Sequence, residues 1–261
     1  MNLTQLLPQV IKISEEGGTF IREAGAQFQW EDLEYKGNND LVSYVDKNTE
    51  KLLVSGLREL LPEAGFITEE LTIRTQEKPW QWVIDPLDGT TNFIHGIPVY
   101  CISIALMEHG IPVLGVIYDV NRSECFYACK EGKAFCNGQE ITLAHQTKLR
   151  ESVLATGYPQ IRFDRLDQYL SILGQCMQRT HGIRRMGSAA LDLAYVACGR
   201  VSAFFEHNLN IYDVAAGVVL VQQAGGKITD FKDGNEYLWG REILAANQVH
   251  GELLEIIQEH W

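Results

Sequence analysis

Asp85-Pro86-Leu87-Asp88-Gly89-Thr90 is the segment of the chain whose residue types and spacing are best suited to chemistry. An apolar stretch, Trp82-Val83-Ile84, runs into Asp85. Pro86 then stiffens the turn by fixing its φ, and Asp88 follows three residues after the first acid. Two carboxylates with the Leu87 carbonyl between them form the oxygen donor set that hard cations prefer. Gly89-Thr90-Thr91-Asn92-Phe93 reads as the opening of a short helix, whose free N–H groups suit a phosphate. An isolated Asp-x-x-Asp-Gly is more often a capped turn, so the segment needs support from elsewhere.

That support comes from acids at other strand ends and helix starts. Glu69-Glu70 follows a short apolar stretch. Asp213 stands just before an apolar helical run, and Asp46 stands at the start of another. Each has a plainer reading: a solvated turn for the glutamates, an N-cap for the aspartates. With Asp85 and Asp88 they make six acids at strand ends or helix starts. Buried and unpaired, they would be costly unless a shared cation compensated them. His95, His181 and His207 are acid–base candidates, better read as structural or peripheral. Arg184-Arg185 is either a phosphate clamp or a solvated pair, and Lys36 either neutralises charge near the site or sits in a loop.

The elements that must position these groups follow from periodicity. Helical patterns cover Leu3 to about Ala24 (with Gly17-Gly18 as a weak point), Asp46–Leu61 ended by Pro62, 164–179, Ser188–Ala197, Val214–Ala224 and roughly 248–260. Lys36-Gly37-Asn38-Asn39-Asp40 reads as a loop. Strands are expected at Leu41–Val45, Phe66–Thr68, Trp82–Ile84 (stopping at Asp85-Pro86), 101–107, 113–118, 124–130, Val153–Ala155, Val201–Phe205, Lys227–Phe231 and Ile243–Ala245. The strands at 101–130, with turns at Glu108-His109-Gly110, Asn121-Arg122 and Glu131-Gly132, predict an antiparallel meander. The pattern changes from meander to α/β alternation near 140–152. An N-terminal α+β half (1–145) carrying most of the acids is therefore expected, followed by an α/β half (146–261) carrying Asp213, the two sharing one core.

The composition is that of an ordinary globular protein of 261 residues, 46% hydrophobic and 21% charged. A net charge of −12 disfavours nucleic-acid and anionic-membrane partners. It also repels a phosphorylated metabolite unless a bound cation reverses the local field. Six cysteines without a Cys-x-x-Cys pair argue against zinc and for free thiols in a reducing cytoplasm. The first residues lack a basic start and a signal core, and no apolar run is long enough to span a bilayer.

Residues 82–98, Trp-Val-Ile-Asp-Pro-Leu-Asp-Gly-Thr-Thr-Asn-Phe-Ile-His-Gly-Ile-Pro, resemble the signature of the inositol monophosphatase family. Ile211-Tyr212-Asp213-Val214-Ala215-Ala216-Gly217, continuing to Gly225-Gly226, is similar to the family's second signature. Residues 36–50, with Asp46 and Glu50, and Phe66-Ile67-Thr68-Glu69-Glu70 agree as well. The resemblance implies a mixed α/β fold, a layered α-β-α-β-α sandwich, usually dimeric. It implies a lithium-sensitive phosphatase with two or three Mg2+ ions and a small phosphorylated metabolite as substrate. Glu69, Asp85, the Leu87 carbonyl, Asp88 and Asp213 would hold metal. Thr90 would position water, Asp46 would lie in the outer metal shell, and Glu70 beside the site. The amides of Gly89 and Thr90 would bind phosphate, with Asp88 and Asp213 at the substrate. Glu206 and Gly187-Ser188-Ala189 would contact the alcohol. Leu71, Thr68 and Tyr212 depart from the family's usual residues, but none of them replaces a ligand. Thr91-Asn92-Phe93 after the Asp-Gly-Thr favours an inositol-1-phosphate-like substrate over a 3'-phosphoadenosine nucleotide. Fructose-bisphosphatase, histidinol-phosphatase and a non-catalytic regulatory protein are the remaining alternatives.

Overall fold

The computed structural model describes residues 1–28, 33–37, 40–73, 77–158 and 164–261. Two helices come first, α1 (Leu3–Gly25) and α2 (Tyr44–Leu60), with the small hairpin β1 (Leu33–Gly37) and β2 (Asp40–Ser43) between them. A seven-stranded sheet follows: β3 (Gly65–Thr68), β4 (Trp80–Asp88), β5 (Cys101–Glu108), β6 (Ile111–Asp119), β7 (Glu124–Cys129), β8 (Ala134–Cys136) and β9 (Gln139–Glu140). These strands lie side by side in chain order, interrupted only by the short helix α3 (Thr90–Ile94). β3 and β4 are parallel, and every later pair in this sheet is antiparallel. The second sheet has the order β11-β10-β12-β14-β13. It is built from β10 (Val153–Thr156), β11 (Gly182–Arg184), β12 (Ala203–His207), β13 (Lys227–Thr229) and β14 (Glu242–Ala246). Helices α4 (Leu166–Arg179), α5 (Ala189–Ala197), α6 (Ile211–Gln223) and α7 (His250–His260) complete the chain.

Strand alternation sorts the apolar side chains into three cores, as a period of two requires. Trp82 and Ile84 of β4, with Ile102, Ile104 and Leu106 of β5, face Val10, Ile21, Leu53 and Leu57 of α1 and α2. Val83, Ala105 and Met107 point the other way and meet α5 and α6, which also cover Ala155, Phe204, Ile243 and Ala245 of the small sheet. Leu154, Ala203, Phe205, Leu244 and Ala246 face α4 and α7. The result is five layers, α-β-α-β-α. The middle helices are apolar nearly all round because they are covered on both sides.

Several boundaries differ from the sequence reading. α1 runs unbroken through Gly17-Gly18, which are close-approach residues: a Cβ on Gly18 would stand 2.3 Å from the Tyr118 ring and one on Gly17 2.8 Å from Ile102 Cδ1. The strand expected to reach Val45 stops at Ser43, whose side chain caps α2. β4 does not stop at Asp85-Pro86. It bulges there and pairs again at Asp88, opposite Cys101. The short strands β8, β9 and β11 have too few residues to show a period. Asn38 and Asn39 of the expected loop, and the Lys36 side chain, lie outside the described residues. Among the described residues, no helix is long and apolar enough to cross a membrane.

Candidate active site

The bulge at the end of β4 orients the two aspartates differently. Asp85, 2% exposed, accepts the Leu87 N–H through Oδ1 at 3.0 Å. Asp88 reaches across to the middle helices, where its Oδ2 accepts from Ser188 Oγ and from the Ala190 N–H, both at 2.7 Å. Ser188 is the N-cap of α5, so one aspartate is held by a helix start from the other half of the chain. Gly89 then turns with φ 101°, and a Cβ there would lie 2.8 Å from the Val99 carbonyl oxygen. Only glycine meets both conditions.

Thr90 opens α3 and ties the segment to α2. Its Oγ1 lies 2.9 Å from Asp46 Oδ1 and 3.0 Å from the Leu87 carbonyl oxygen. Asp46 is not the cap of α2 but the third residue of a capping box. Its Oδ2 accepts from the Ser43 N–H at 2.8 Å and from Ser43 Oγ at 2.6 Å. Asp213 repeats the arrangement at α6: Asn210 is the N-cap, and Asp213 Oδ2 accepts its N–H at 2.6 Å. In both cases one carboxylate oxygen fixes the helix start. The second oxygen of Asp46 meets Thr90.

Glu69 continues the β3–β4 ladder, its N–H donating to the Ile84 carbonyl at 3.3 Å. The residues after it are held by Glu50, which is fully buried. Glu50 accepts from the Glu70 N–H and the Thr72 N–H, both at 2.7 Å, and from Thr72 Oγ1 at 2.6 Å. Asn92 does similar work on the other side. Its Nδ2 donates to the Val99 carbonyl at 2.7 Å and to the Met186 carbonyl at 2.8 Å, next to Gly187 in its left-handed turn at φ 93°. Ala189, the first residue of α5, is buried and brings no polar side chain.

The electrostatics set these acids apart from ordinary surface carboxylates. Burial raises Asp85 well above the usual carboxylate range, and the charges of Glu69, Asp88 and Asp213 raise it further. Burial lifts Asp88 to about 6 against its bonds to Ser188 and Ala190. Burial and the Asp88 charge bring Asp213 to about 7. Glu206, on β12, is pushed to about 8 by burial, with Arg185 pulling it down and Asp213 and Asp88 adding to the rise. Asp46 is raised by burial despite its bonds to Ser43 and Thr90. Among the described residues, no lysine or arginine forms an ion pair with Asp85, Asp88 or Asp213.

Such a set is all oxygen, desolvated and mutually repelling. Its donor chemistry fits a hard divalent cation. As the side chains stand, no three His, Cys, Asp or Glu among the described residues are arranged to hold an ion. The positions suit a cation by charge and donor type, while the rotamers are not closed on one.

One residue near these acids escaped the sequence reading, and Arg185, read there with Arg184 as a phosphate clamp or a solvated pair, stands beside it. Asp192, one helical turn after Ser188, is 1% exposed. It is raised well above its usual value by burial and then by Glu206 and Asp88, and its Oδ1 has no hydrogen-bond partner. The available signal was one acid inside the apolar run Ala-Ala-Leu-Asp-Leu-Ala. Arg185 lies over the Tyr158 ring at 4.9 Å, and its charge reaches Asp88, Asp192 and Glu206. His95 and His181 are exposed, and His207 packs against the Trp261 ring at 4.8 Å.

The chain also matches known proteins along nearly its whole length. The model described as the inositol monophosphatase family matches residues 2–261. A Neisseria meningitidis serogroup B protein named putative Nus factor SuhB is 36% identical over 260 residues, covering 99% of this chain and 100% of its own. An inositol-1-monophosphatase of Mesorhizobium japonicum is 36% identical over 250 residues, covering 95% and 94%. The crystal structure of extragenic suppressor protein suhB from Bartonella henselae superposes with a TM-score of 0.93 at 36% identity, covering 98% and 100%.

Proposed function

Since the chain belongs to the inositol monophosphatase family, we propose that it hydrolyses a small phosphate monoester, an inositol-1-phosphate-like polyol or sugar phosphate, with Mg2+ and water. The observation that carries this reading is the meeting of Glu69, Asp85, Asp88 and Asp213, from three separate segments, beside a threonine hydroxyl braced by Asp46 and the Leu87 carbonyl. Glu69, Asp85, the Leu87 carbonyl, Asp88 and Asp213 would hold two or three magnesium ions. Bound magnesium supplies acidification of the attacking water and neutralisation of charge on the phosphoryl and departing oxygens.

The protein's own groups do the rest. The single Thr90 proton is committed to Asp46 or to the Leu87 carbonyl, so Thr90 Oγ1 turns its lone pairs outward. It accepts a hydrogen bond from the attacking water and aims the water's own lone pair at phosphorus, while Glu69 receives the water's proton. The Gly89 and Thr90 amides hold the phosphate. Glu206 and the 187–189 turn receive the alcohol, with Asp88 and Asp213 between the two. Water attacks directly, in one displacement that inverts configuration at an isotopically chiral phosphorus. A phosphoaspartate on Asp85 or Asp88 would need two displacements and would retain it.

The protein would work as a homodimer in the cytoplasm on a small metabolite. The test is phosphate release with magnesium from inositol 1-phosphate, fructose 1,6-bisphosphate, 3'-phosphoadenosine 5'-phosphate and histidinol phosphate, with chelator and lithium controls. Inositol 1-phosphate should be turned over best, and chelation should stop it. Predominant turnover of another ester moves the assignment to that specificity.

A second reading rests on the relative named putative Nus factor SuhB, which matches along its whole length. A regulatory role would then accompany or replace catalysis. No phosphate release from any ester would favour replacement.

A further inference from the structure

Glu206 has a neighbour that leaves it almost no room. A Cβ built on Gly157 would stand 2.0 Å from Glu206 Oε2 and 2.2 Å from Cδ, so the Gly157 backbone lies directly against the carboxyl group. Gly157 follows β10, whose Leu154-Ala155-Thr156 pairs in parallel with Ala203-Phe204-Phe205 of β12. What presses this backbone onto Glu206 is a buried hydroxyl pair. Tyr169, on α4 and 1% exposed, donates its phenol to the Gly157 carbonyl. The Thr156 hydroxyl lies 2.7 Å from the Tyr169 oxygen and 2.7 Å from the carbonyl of Phe205, the residue before Glu206. One tyrosine and one threonine thus bind the backbone on both sides of the carboxylate.

The Tyr169 ring is itself fixed. It meets Phe205 at 5.9 Å and the Trp261 ring edge-on at 6.2 Å. Trp261 also meets His207, the residue after Glu206, and its Nε1 donates to Glu242 Oε1 at 2.8 Å. Glu242 pairs with His207 across β12 and β14. The bracket around Glu206 therefore closes through side chains on α4, β12, β14 and Trp261.

We infer that Tyr169 is a positioning residue for Glu206: by holding the Gly157 carbonyl it sets where the carboxylate stands and thereby how tightly the hydroxyls of the leaving alcohol are bound. This rests on the phosphatase reading and on the alcohol contact assigned to Glu206. A phenol that served only the fold would act on all substrates alike. One that acts through Glu206 acts only where the leaving group has hydroxyls to offer.

The experiment compares inositol 1-phosphate with 4-nitrophenyl phosphate, whose leaving group carries no hydroxyl for Glu206, in wild type, Tyr169→Phe, Gly157→Ala and Glu206→Gln. Tyr169→Phe keeps the packed ring and removes the bond. It should raise KM for inositol 1-phosphate by about 3- to 10-fold, the worth of one ordinary hydrogen bond. Activity on 4-nitrophenyl phosphate should stay within about twofold, below that same range. Gly157→Ala displaces the carboxylate and should cost up to about 100-fold on the polyol ester. In a Glu206→Gln background the Tyr169→Phe effect should vanish, because coupled residues are not additive. Equal losses on both esters, or an undiminished Tyr169→Phe effect without Glu206, overturn the inference while leaving the phosphatase reading intact. A wild type that releases phosphate from neither ester overturns both.

Discussion

Asp88→Asn separates the chemistry of the acidic cluster from its cost to the fold. The asparagine carbonyl can keep the two contacts of Asp88 Oδ2, to Ser188 Oγ and the Ala190 N–H, so the start of α5 stays tethered to β4. What disappears is a charge. Burial lifts the Asp88 carboxyl from 3.8 to about 6, and each unit corresponds to about 1.4 kcal/mol between protonation states. The ionised form is therefore unfavourable in the metal-free protein by at most about 3 kcal/mol. Because neighbouring acids share the burden, a gain of about 1–3 kcal/mol is the reasonable expectation for the variant. The sign is set by a folded-state pKa above the unfolded one. The penalty is absent below pH 3.8, where Asp88 is protonated in both states, and complete above about pH 6. Urea unfolding in chelator at pH 8 should show Asp88→Asn more stable than wild type, with the difference shrinking as pH falls toward 4. Added magnesium should stabilise the wild type more than the variant. Phosphate release should drop by more than the roughly 10- to 100-fold that outer-shell changes around a metal cost. A variant with near-normal turnover would refute the role given to Asp88. A variant less stable than wild type at pH 8 would refute the account of the buried charge.

Other outcomes follow from the same geometry. Glu50→Ala strands three donors around Glu70 and Thr72. It should cost about 2–4 kcal/mol in unfolding experiments and lower phosphate release by loosening the segment that carries Glu69. Thr90→Ala should lower kcat with little change in KM, since its hydroxyl orients water rather than substrate. Equal KM and kcat effects would argue against that role. Gly18→Ala forces a methyl into the Tyr118 ring and should destabilise by about 1–3 kcal/mol in thermal unfolding without altering the site. His250, bonded to Thr229 Oγ1 at 2.9 Å, is lowered to about 4 by burial and the nearby Lys227. The unfolded chain takes up a proton near pH 6.5 that the folded one refuses, so stability should fall between pH 6.5 and 4 by at most about 3 kcal/mol. His250→Gln should flatten that slope.

Much of this was legible in the sequence because it is local. Period-two and period-3.6 patterns place most strands and helices, and the breaks at Pro62, Gly199 and Gly225-Gly226 end helices where backbone chemistry demands. The Asp85–Thr90 segment, Glu69 and Asp213 stand out as acids at element ends, and the resemblance to one family rests on their order along the chain. Short strands such as Gly182–Arg184 carry too few residues for a period. The β4 bulge is set by pairing with β5 rather than by Asp85-Pro86 alone.

Only the tertiary structure decided what each acid does with its second oxygen. Asp46 and Asp213 both look like N-caps in sequence. Ser43 and Asn210 take that place, and each aspartate gives one oxygen to a capping box. Asp192 hides in an apolar helix until Glu206 and Asp88 are brought beside it. Sequence neighbours fix donor type and helix phase through short-range geometry. Which carboxylates share a desolvated space, and so repel one another enough to want a cation, depends on strands and helices packed from residues more than a hundred positions apart.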